Sequence, residues 1–358
     1  MSALDRVRAE LTTRGWDGVV ATPGVNLAWL TGVANHATQE RSERLVCLGI
    51  PIEGDPWIVC PAFEGERMAE SFPWASVETW EEAEDPFVKA GRKLGRGGTW
   101  ALEPSTAYHD ASRLAAATGA EMVDGAVLFE ALRRAKTRAE IEALRRAIGA
   151  AWDVHDEVVP SLTEGDTEAG VEARIADAFG RRGFEAWSLV QFGPGSAVPH
   201  GEPGERRLER GQAVLLDWGG WGEGFTADLT RTFWWDGRAL PADDSPEQFR
   251  AILDVVRSAQ AAALSMMRPG VRCGDVDEAA RSVIREAGHG QRFTHRLGHG
   301  LGREIHEPPY LVAGSRVELA PGDVVTVEPG IYLSGRFGVR WEDDVRVTDD
   351  GIEILSER

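Results

Sequence analysis

Leu208-Glu209-Arg210-Gly211-Gln212-Ala213-Val214-Leu215-Leu216-Asp217 is restated further along the chain as Leu319-Ala320-Pro321-Gly322-Asp323-Val324-Val325-Thr326-Val327-Glu328. Leu, Gly and the closing acid recur at one fixed offset: Leu208 with Leu319, Gly211 with Gly322, Asp217 with Glu328. Each copy reads as a turn, an apolar strand and a carboxylate. A further acid follows each, Asp228 after the first and Glu342 after the second. Two such halves, related by a pseudo-twofold axis, present two acids apiece to one point. Four carboxylates repel too strongly to share a buried site unless cations neutralise them. Between the copies, His295-Arg296-Leu297-Gly298-His299-Gly300 can add an imidazole. The set points to a two-metal hydrolytic centre.

Working outward, a chain of 358 residues predicts about two domains rather than one core. An apolar content of 42% with 27% charged residues fits a globular protein. A net charge of −19 argues against nucleic acid or an anionic membrane as partner. Cys47, Cys60 and Cys273 are scattered and odd in number, so neither a disulfide framework nor a Cys-rich zinc site follows. A reducing, cytoplasmic setting is the simplest expectation. The N-terminus has no apolar signal core, and no run is long and apolar enough to span a bilayer.

A division is expected near residue 130. Residues 1–129 alternate short apolar runs (18–21, 45–50, 57–60) with helix-like stretches (5–14, 110–118), which reads as a small α/β domain. In residues 130–358, Thr137-Arg138-Ala139-Glu140 is a capping-box pattern that opens a helix running to about Val159. Ser245-Pro246-Glu247-Gln248 opens a second long helix with Pro246 at its first position, and Pro269-Gly270 closes it. Shorter helices over 168–182 and 276–287 each precede one copy of the strand–acid unit. The second domain is therefore a duplicated helix-then-strand module.

Taken singly, each acid has an ordinary reading: Asp217 and Glu328 as turn residues, Asp228 and Glu342 as exposed strand acids. Those readings leave the shared register unexplained. His295 and His299 are four apart, but Gly298, Gly300 and Gly302 disfavour a helix, so this is not a helical zinc motif. Glycine there permits close backbone approach, as beside a ligand. His200 and His306 lie in further Gly- or Pro-rich stretches around the repeat.

His-x-x-x-His-Gly-x-Gly at 295–302, Glu-Pro-Gly at 328–330, Asp217 with the later Asp228 before Thr230-Arg231-Thr232, and Glu342-Asp343 together resemble the pita-bread metallopeptidases. That family includes Xaa-Pro dipeptidases (prolidases) and aminopeptidase P. The resemblance covers roughly 130–358; residues 1–129 match the family's creatinase-like N-terminal domain only in size and α/β character. It implies a mixed α/β protein with a C-terminal pita-bread domain. Asp217, Asp228, His299, Glu328 and Glu342 would ligate two divalent ions, with Asp228 and Glu342 bridging them. His200, His295, His306 and Arg340 would serve catalysis or touch the substrate. Glu328 would carry the proton, and His295 or His306 would stabilise an oxyanion. An oxygen-rich set with one imidazole suits Mn²⁺, with Zn²⁺ or Co²⁺ as alternatives.

The implied substrate is a small peptide with proline in second place, most simply an Xaa-Pro dipeptide. An aminopeptidase P acting on longer peptides and a metal-free peptide-binding module are the alternatives. Phe225 and Ala227 replace the family's usual Tyr and Ser, and Tyr310 stands near the place where prolidases carry a carboxylate-binding Arg. A dipeptidase would then need another anchor: Arg336 from the same chain, or Arg41 or Arg44 from a partner. Family members commonly form homodimers in which the N-terminal domain caps the neighbouring site.

Overall fold

The computed structural model describes residues 3–32, 36–40 and 42–358. The chain forms two compact units, Met1–Arg133 and Arg134–Arg358.

The first unit is built on a six-stranded sheet. Its order is Ser76–Trp80, Trp57–Pro61, Cys47–Pro51, Gly18–Ala21, Thr99–Leu102 and Glu121–Asp124. Cys47–Pro51 runs antiparallel to both its neighbours, and the other pairings are parallel. Gly18–Ala21 is buried along its whole length, so it reads as an unbroken apolar run. The pleat sorts its side chains: Val19 and Ala21 join one core, with Leu48, Ile50 and Ile58, while Val20 joins the other, with Cys47, Trp57 and Val59. Helices Ala3–Arg14 and Tyr108–Thr118 stand where helix-like stretches were expected, each beginning two residues earlier. The apolar run at 45–50 gives a strand shifted to Cys47–Pro51.

The second unit contains two five-stranded sheets and a two-stranded ribbon. In the first sheet, Gln212–Gly222 lies between Glu185–Phe192 and Leu229–Trp235. In the second, Val324–Val327 pairs with Gly298–Gly300 and Asp343–Val347. Each copy of the repeated sequence thus becomes an inner strand of its own sheet. The halves meet at a bridge between Thr230 and Glu342, where the Glu342 amide donates to the Thr230 carbonyl at 3.1 Å. Helices Arg138–Val158 and Glu168–Arg181 supply the core against the first sheet, and Glu247–Met266 and Cys273–Glu286 against the second.

The capping box is formed: Thr137 Oγ1 accepts from the Glu140 amide, and the Glu140 carboxylate accepts from the Thr137 amide. Such a cap contributes about 1 kcal/mol. The second long helix begins at Glu247, and Pro246 is extended just before it rather than in its first turn. Cys273–Glu286 starts three residues earlier than expected. The glycines around His299 are explained by the neighbouring strands. A Cβ on Gly298 would lie 2.0 Å from the Thr326 carbonyl oxygen, and one on Gly300 2.4 Å from that of Glu307. Close approach is required there, but by backbone rather than by a ligand.

Candidate metal centre

The duplicated strands deliver their acids to the seam between the two sheets. Asp217 lies within Gln212–Gly222, opposite Thr230. Asp228 precedes Leu229–Trp235, and its amide donates to Asp344 Oδ2 at 3.2 Å. Glu328 follows Val324–Val327 and is tied to the His299 segment through its own amide, which donates to the Leu297 carbonyl at 2.8 Å. Glu342 sits between Phe337–Arg340 and Asp343–Val347, and its Oε2 accepts from Thr230 Oγ1 at 2.6 Å. Ligand atoms of Asp228, His299 and Glu342 all lie within 4.8 Å of one another. These three residues are only 4%, 2% and 1% exposed, so water cannot disperse their charge.

His299 orients itself toward the acids. Its Nδ1 lies 3.1 Å from the Gly300 carbonyl, which can only accept, so Nδ1 carries a hydrogen. Nε2 then faces Asp228 Oδ2 at 3.5 Å and Glu328 Oε1 at 3.3 Å. In the neutral ring this sets a lone pair against two carboxylates, an arrangement a cation resolves.

The electrostatics point the same way. Burial, then the charges of Glu342 and Asp217, push the Asp228 carboxyl well above its ordinary range. Burial, then Glu328 and Asp217, do the same to Glu342. Asp217 is raised by burial despite Arg340, and its Oδ1 is buried without a hydrogen-bond partner. Glu328 moves the other way: burial works against its charge, but His299 and His295 in their protonated forms, with Arg340, pull it below the usual carboxylate range. One buried guanidinium, Arg340, cannot balance four carboxylates. The donor set of four carboxylates and one imidazole therefore fits divalent cations, and these five residues would hold them.

Arg340 organises the inner wall. It donates to Asp217 Oδ2 at 2.5 Å, Thr230 Oγ1 at 3.0 Å, the Tyr332 hydroxyl at 3.0 Å and the Pro199 carbonyl at 3.2 Å. The Tyr332 hydroxyl also lies 2.8 Å from His295 Nε2. His295 is depressed by burial, and its Nδ1 lies 3.8 Å from Glu328 Oε2. The His306 ring stands edge-on to His299, with centroids 4.2 Å apart. Burial, then His299, lower His306 to about 4. His200 is exposed, yet close enough for its charge to depress both His295 and His306.

The family's metallopeptidase model, "Metallopeptidase family M24", matches residues 142–349. The chain belongs to metallopeptidase family M24. A second model, "Creatinase/Prolidase N-terminal domain", matches residues 4–135. The M24 chain is 39% identical over 349 residues to "Probable dipeptidase PepE" of Mycobacterium tuberculosis, covering 94% of this chain and 89% of that one. It is 36% identical to "Putative dipeptidase YkvY" of Bacillus subtilis, over 100% of this chain and 98% of that one. Among solved structures, dipeptidase PepE from Mycobacterium ulcerans superposes with a TM-score of 0.91 at 34% identity, covering 99% and 95% of the two chains. A prolidase from Thermococcus sibiricus follows at 0.88 and 30%, covering 99% and 96%. The M24 chain is thus an enzyme of the metallopeptidase class, with the mixed α/β, two-domain architecture of its relatives.

The remaining expected site residues are placed separately. Arg336 lies in the turn of the ribbon formed by Gly330–Leu333 and Phe337–Arg340. Tyr310 pairs with His299 across adjacent strands, and the Arg296 guanidinium covers its ring at 4.5 Å. Arg44 is bound within its own unit by Glu43 and by Glu82 at 2.8 Å. Arg41 lies outside the described residues. Phe225 is buried and covered by the Arg303 guanidinium at 4.8 Å, and Ala227 is fully buried.

Sequence reasoning missed Tyr332, Thr230 and Asp344. Tyr332 had a weak signal: it is one of only three tyrosines, placed in an otherwise apolar buried strand four residues after Glu328.

Proposed function

We propose that this enzyme is a dinuclear metal-dependent exopeptidase that splits Xaa-Pro dipeptides. The observation that carries this reading is the buried Asp228–His299–Glu342 cluster, flanked by Asp217 and Glu328. Support for dipeptides comes from the relatives named as dipeptidases and prolidases. When bound, two divalent cations supply Lewis acidity and a nucleophile at neutral pH; Mn²⁺ suits the oxygen-rich set best.

The chain's own residues divide the remaining work. Asp228 and Glu342, one from each half, would hold both cations between them. Glu328, whose carboxylate stands beside His299 and within reach of His295, would accept the proton released as the nucleophile forms and return it to the leaving imino nitrogen. His306 and His295 present neutral rings toward the reacting carbonyl, and His200 closes the same side. Arg340 fixes Asp217 and the Tyr332 hydroxyl, which in turn orients His295. The N-terminal unit, with Arg41 or Arg44, caps the site of a partner in a cytoplasmic homodimer.

The test is hydrolysis of Xaa-Pro, Xaa-Pro-Yaa and Xaa-Ala by stripped protein reloaded with Mn²⁺ or Zn²⁺. Preference for Xaa-Pro is expected. Faster cleavage of Xaa-Pro-Yaa would replace this reading with an aminopeptidase one. Absence of stoichiometric metal would replace it with a binding module.

A further inference from the structure

Glu342 is gripped from two sides by consecutive residues of one strand. Thr230 faces the cluster and bonds the Glu342 carboxylate. Arg231, next along Leu229–Trp235, faces the other side of the sheet, opposite buried Leu216. There its guanidinium donates to the Thr230 carbonyl at 2.9 Å, to the Glu342 carbonyl, and to Asp343 Oδ1 at 2.7 Å. Asp343 in turn accepts from Ser356 Oγ at 2.8 Å and from Gln260 Nε2 at 2.9 Å. Gln260 also donates to the carbonyl of Val327, the residue before Glu328, at 3.1 Å. One network behind the seam thus fixes main chain beside two of the acids and ties it to a strand of the first half.

The guanidinium at the centre of this network is itself held. The Trp152 ring lies against it at 4.9 Å and the Trp341 ring at 4.3 Å. A further arginine attends each ring: Arg358 over Trp152 at 4.3 Å and Arg257 over Trp341 at 5.1 Å. Trp152 comes from helix Arg138–Val158 in the first half, and Trp341 stands next to Glu342 in the second. The side chains of Arg231 and Asp343 are 12% and 9% exposed, so water competes little for their pair. A guanidinium can stack on rings and fork its donors at the same time, whereas an ammonium offers only a compact point charge.

We infer that Arg231 is a positioning residue for the metal centre: it sets the Glu342 main chain at the seam, so that the carboxylates of Glu342 and Asp228 reach the same cations. This deepens, and rests on, the two-metal reading. Glu342 lies between Phe337–Arg340 and Asp343–Val347 rather than inside either strand, so no continuous ladder fixes it. Its amide donates to the Thr230 carbonyl, and Arg231 closes the other side by donating to its carbonyl. Partners behind a ligand that fix its direction in this way govern how tightly the metal is held.

The experiment titrates stripped protein with Mn²⁺ in a calorimeter, for wild type, Arg231→Lys, Trp152→Phe and Arg358→Met, with melting curves and Gly-Pro turnover on the same proteins. Arg231→Lys keeps the charge and loses the fork; it should weaken Mn²⁺ binding roughly 10–100-fold. At saturating Mn²⁺ it should lower kcat with little change in KM. Trp152→Phe leaves every Arg231 hydrogen bond in place and thins the stacking, so its loss should be smaller and in the same direction. Arg358→Met removes an outer arginine whose pair with Asp156 is exposed, and its Mn²⁺ affinity should stay close to wild type. Unchanged affinity in folded Arg231→Lys overturns the assignment. So does an equal loss in Arg358→Met, because the effect would then be general loosening. If Arg231→Lys does not fold, Trp152→Phe decides: weakened binding supports the role and unchanged binding overturns it. If wild type binds a single Mn²⁺, the two-metal reading fails, and the same comparison at that one site decides for Arg231. Wild type that binds none overturns both.

Discussion

Asp228 and Glu342 come from opposite halves of the repeat and lie with His299 inside one 4.8 Å cluster. On the proposed two-metal reading, removing either carboxylate takes a ligand from both cation positions at once. Asp228→Ala and Glu342→Ala should each lose stoichiometric metal and activity together, read by elemental analysis alongside turnover; a fully active Glu342→Ala would end the two-metal reading. His306 is different. It touches the edge of His299 but offers no atom to the cluster. His306→Ala should slow turnover by roughly 10²-fold or more while about two metals remain bound. Metal loss in that variant would make His306 a ligand. Tyr332 tests the wall behind them. Phenylalanine there leaves Arg340 Nη1 and His295 Nε2 without their shared partner, a loss of about 1–3 kcal/mol if both stay dry. The rate should fall with little change in KM, because His295 is misaligned rather than removed.

Two helices place those histidines, and they do so by the same device. Gly165-Asp166-Thr167-Glu168 and Gly274-Asp275-Val276-Asp277 open corresponding helices in the two halves. Buried Glu168 accepts from the amides of Phe192 at 2.8 Å and Gly204 at 3.2 Å, the two ends of the loop that carries His200. Buried Asp277 accepts from the Leu297 amide at 3.1 Å and pairs with Arg281, which donates to the carbonyls of His295 and Phe293. Arg281→Met should strand the Asp277 charge and cost about 3 kcal/mol of stability. It should also lower the rate more than it changes KM, with metal retained; an unchanged rate would make the pair purely structural. At this scale, the sequence was readable where one chain segment settles the matter. The Thr137 capping box, the apolar runs at 18–21 and 57–60 and the duplicated strand–acid unit depend on neighbours in sequence. The strands Ser76–Trp80 and Glu121–Asp124 lie at the sheet edges, half exposed, and lack an apolar run to announce them. Asp217 and Glu328 stood out because they repeat in register, each with a second acid after it. Tyr332 and Thr230 did not, because Arg340 bonds them together with Pro199 and Asp217 only after two halves far apart in sequence have folded against each other.

Across the whole molecule, the centre sets stability against function. Four carboxylates crowd one dry seam, and Asp228 is raised by burial, Glu342, Asp217 and Glu328 alike. The fold of the second unit, clamped across the Thr230–Glu342 bridge, holds these like charges close together, at a cost in free energy. A cation that binds the folded form alone returns that energy by mass action, about 2.7 kcal/mol at a hundred times its Kd. For a unit the size of Arg134–Arg358, metal should therefore raise the melting temperature by roughly 5–10 °C over the stripped form. Asp228→Asn separates the two contributions. It removes one of the crowded charges while nearly preserving volume, so the stripped variant should melt at or above the stripped wild type. The same variant should gain far less from added Mn²⁺ and should not turn over. A stripped Asp228→Asn that melts well below stripped wild type would mean that Asp228 holds the fold together rather than straining it. The crowding of like charge would then not be the reason this seam needs a cation.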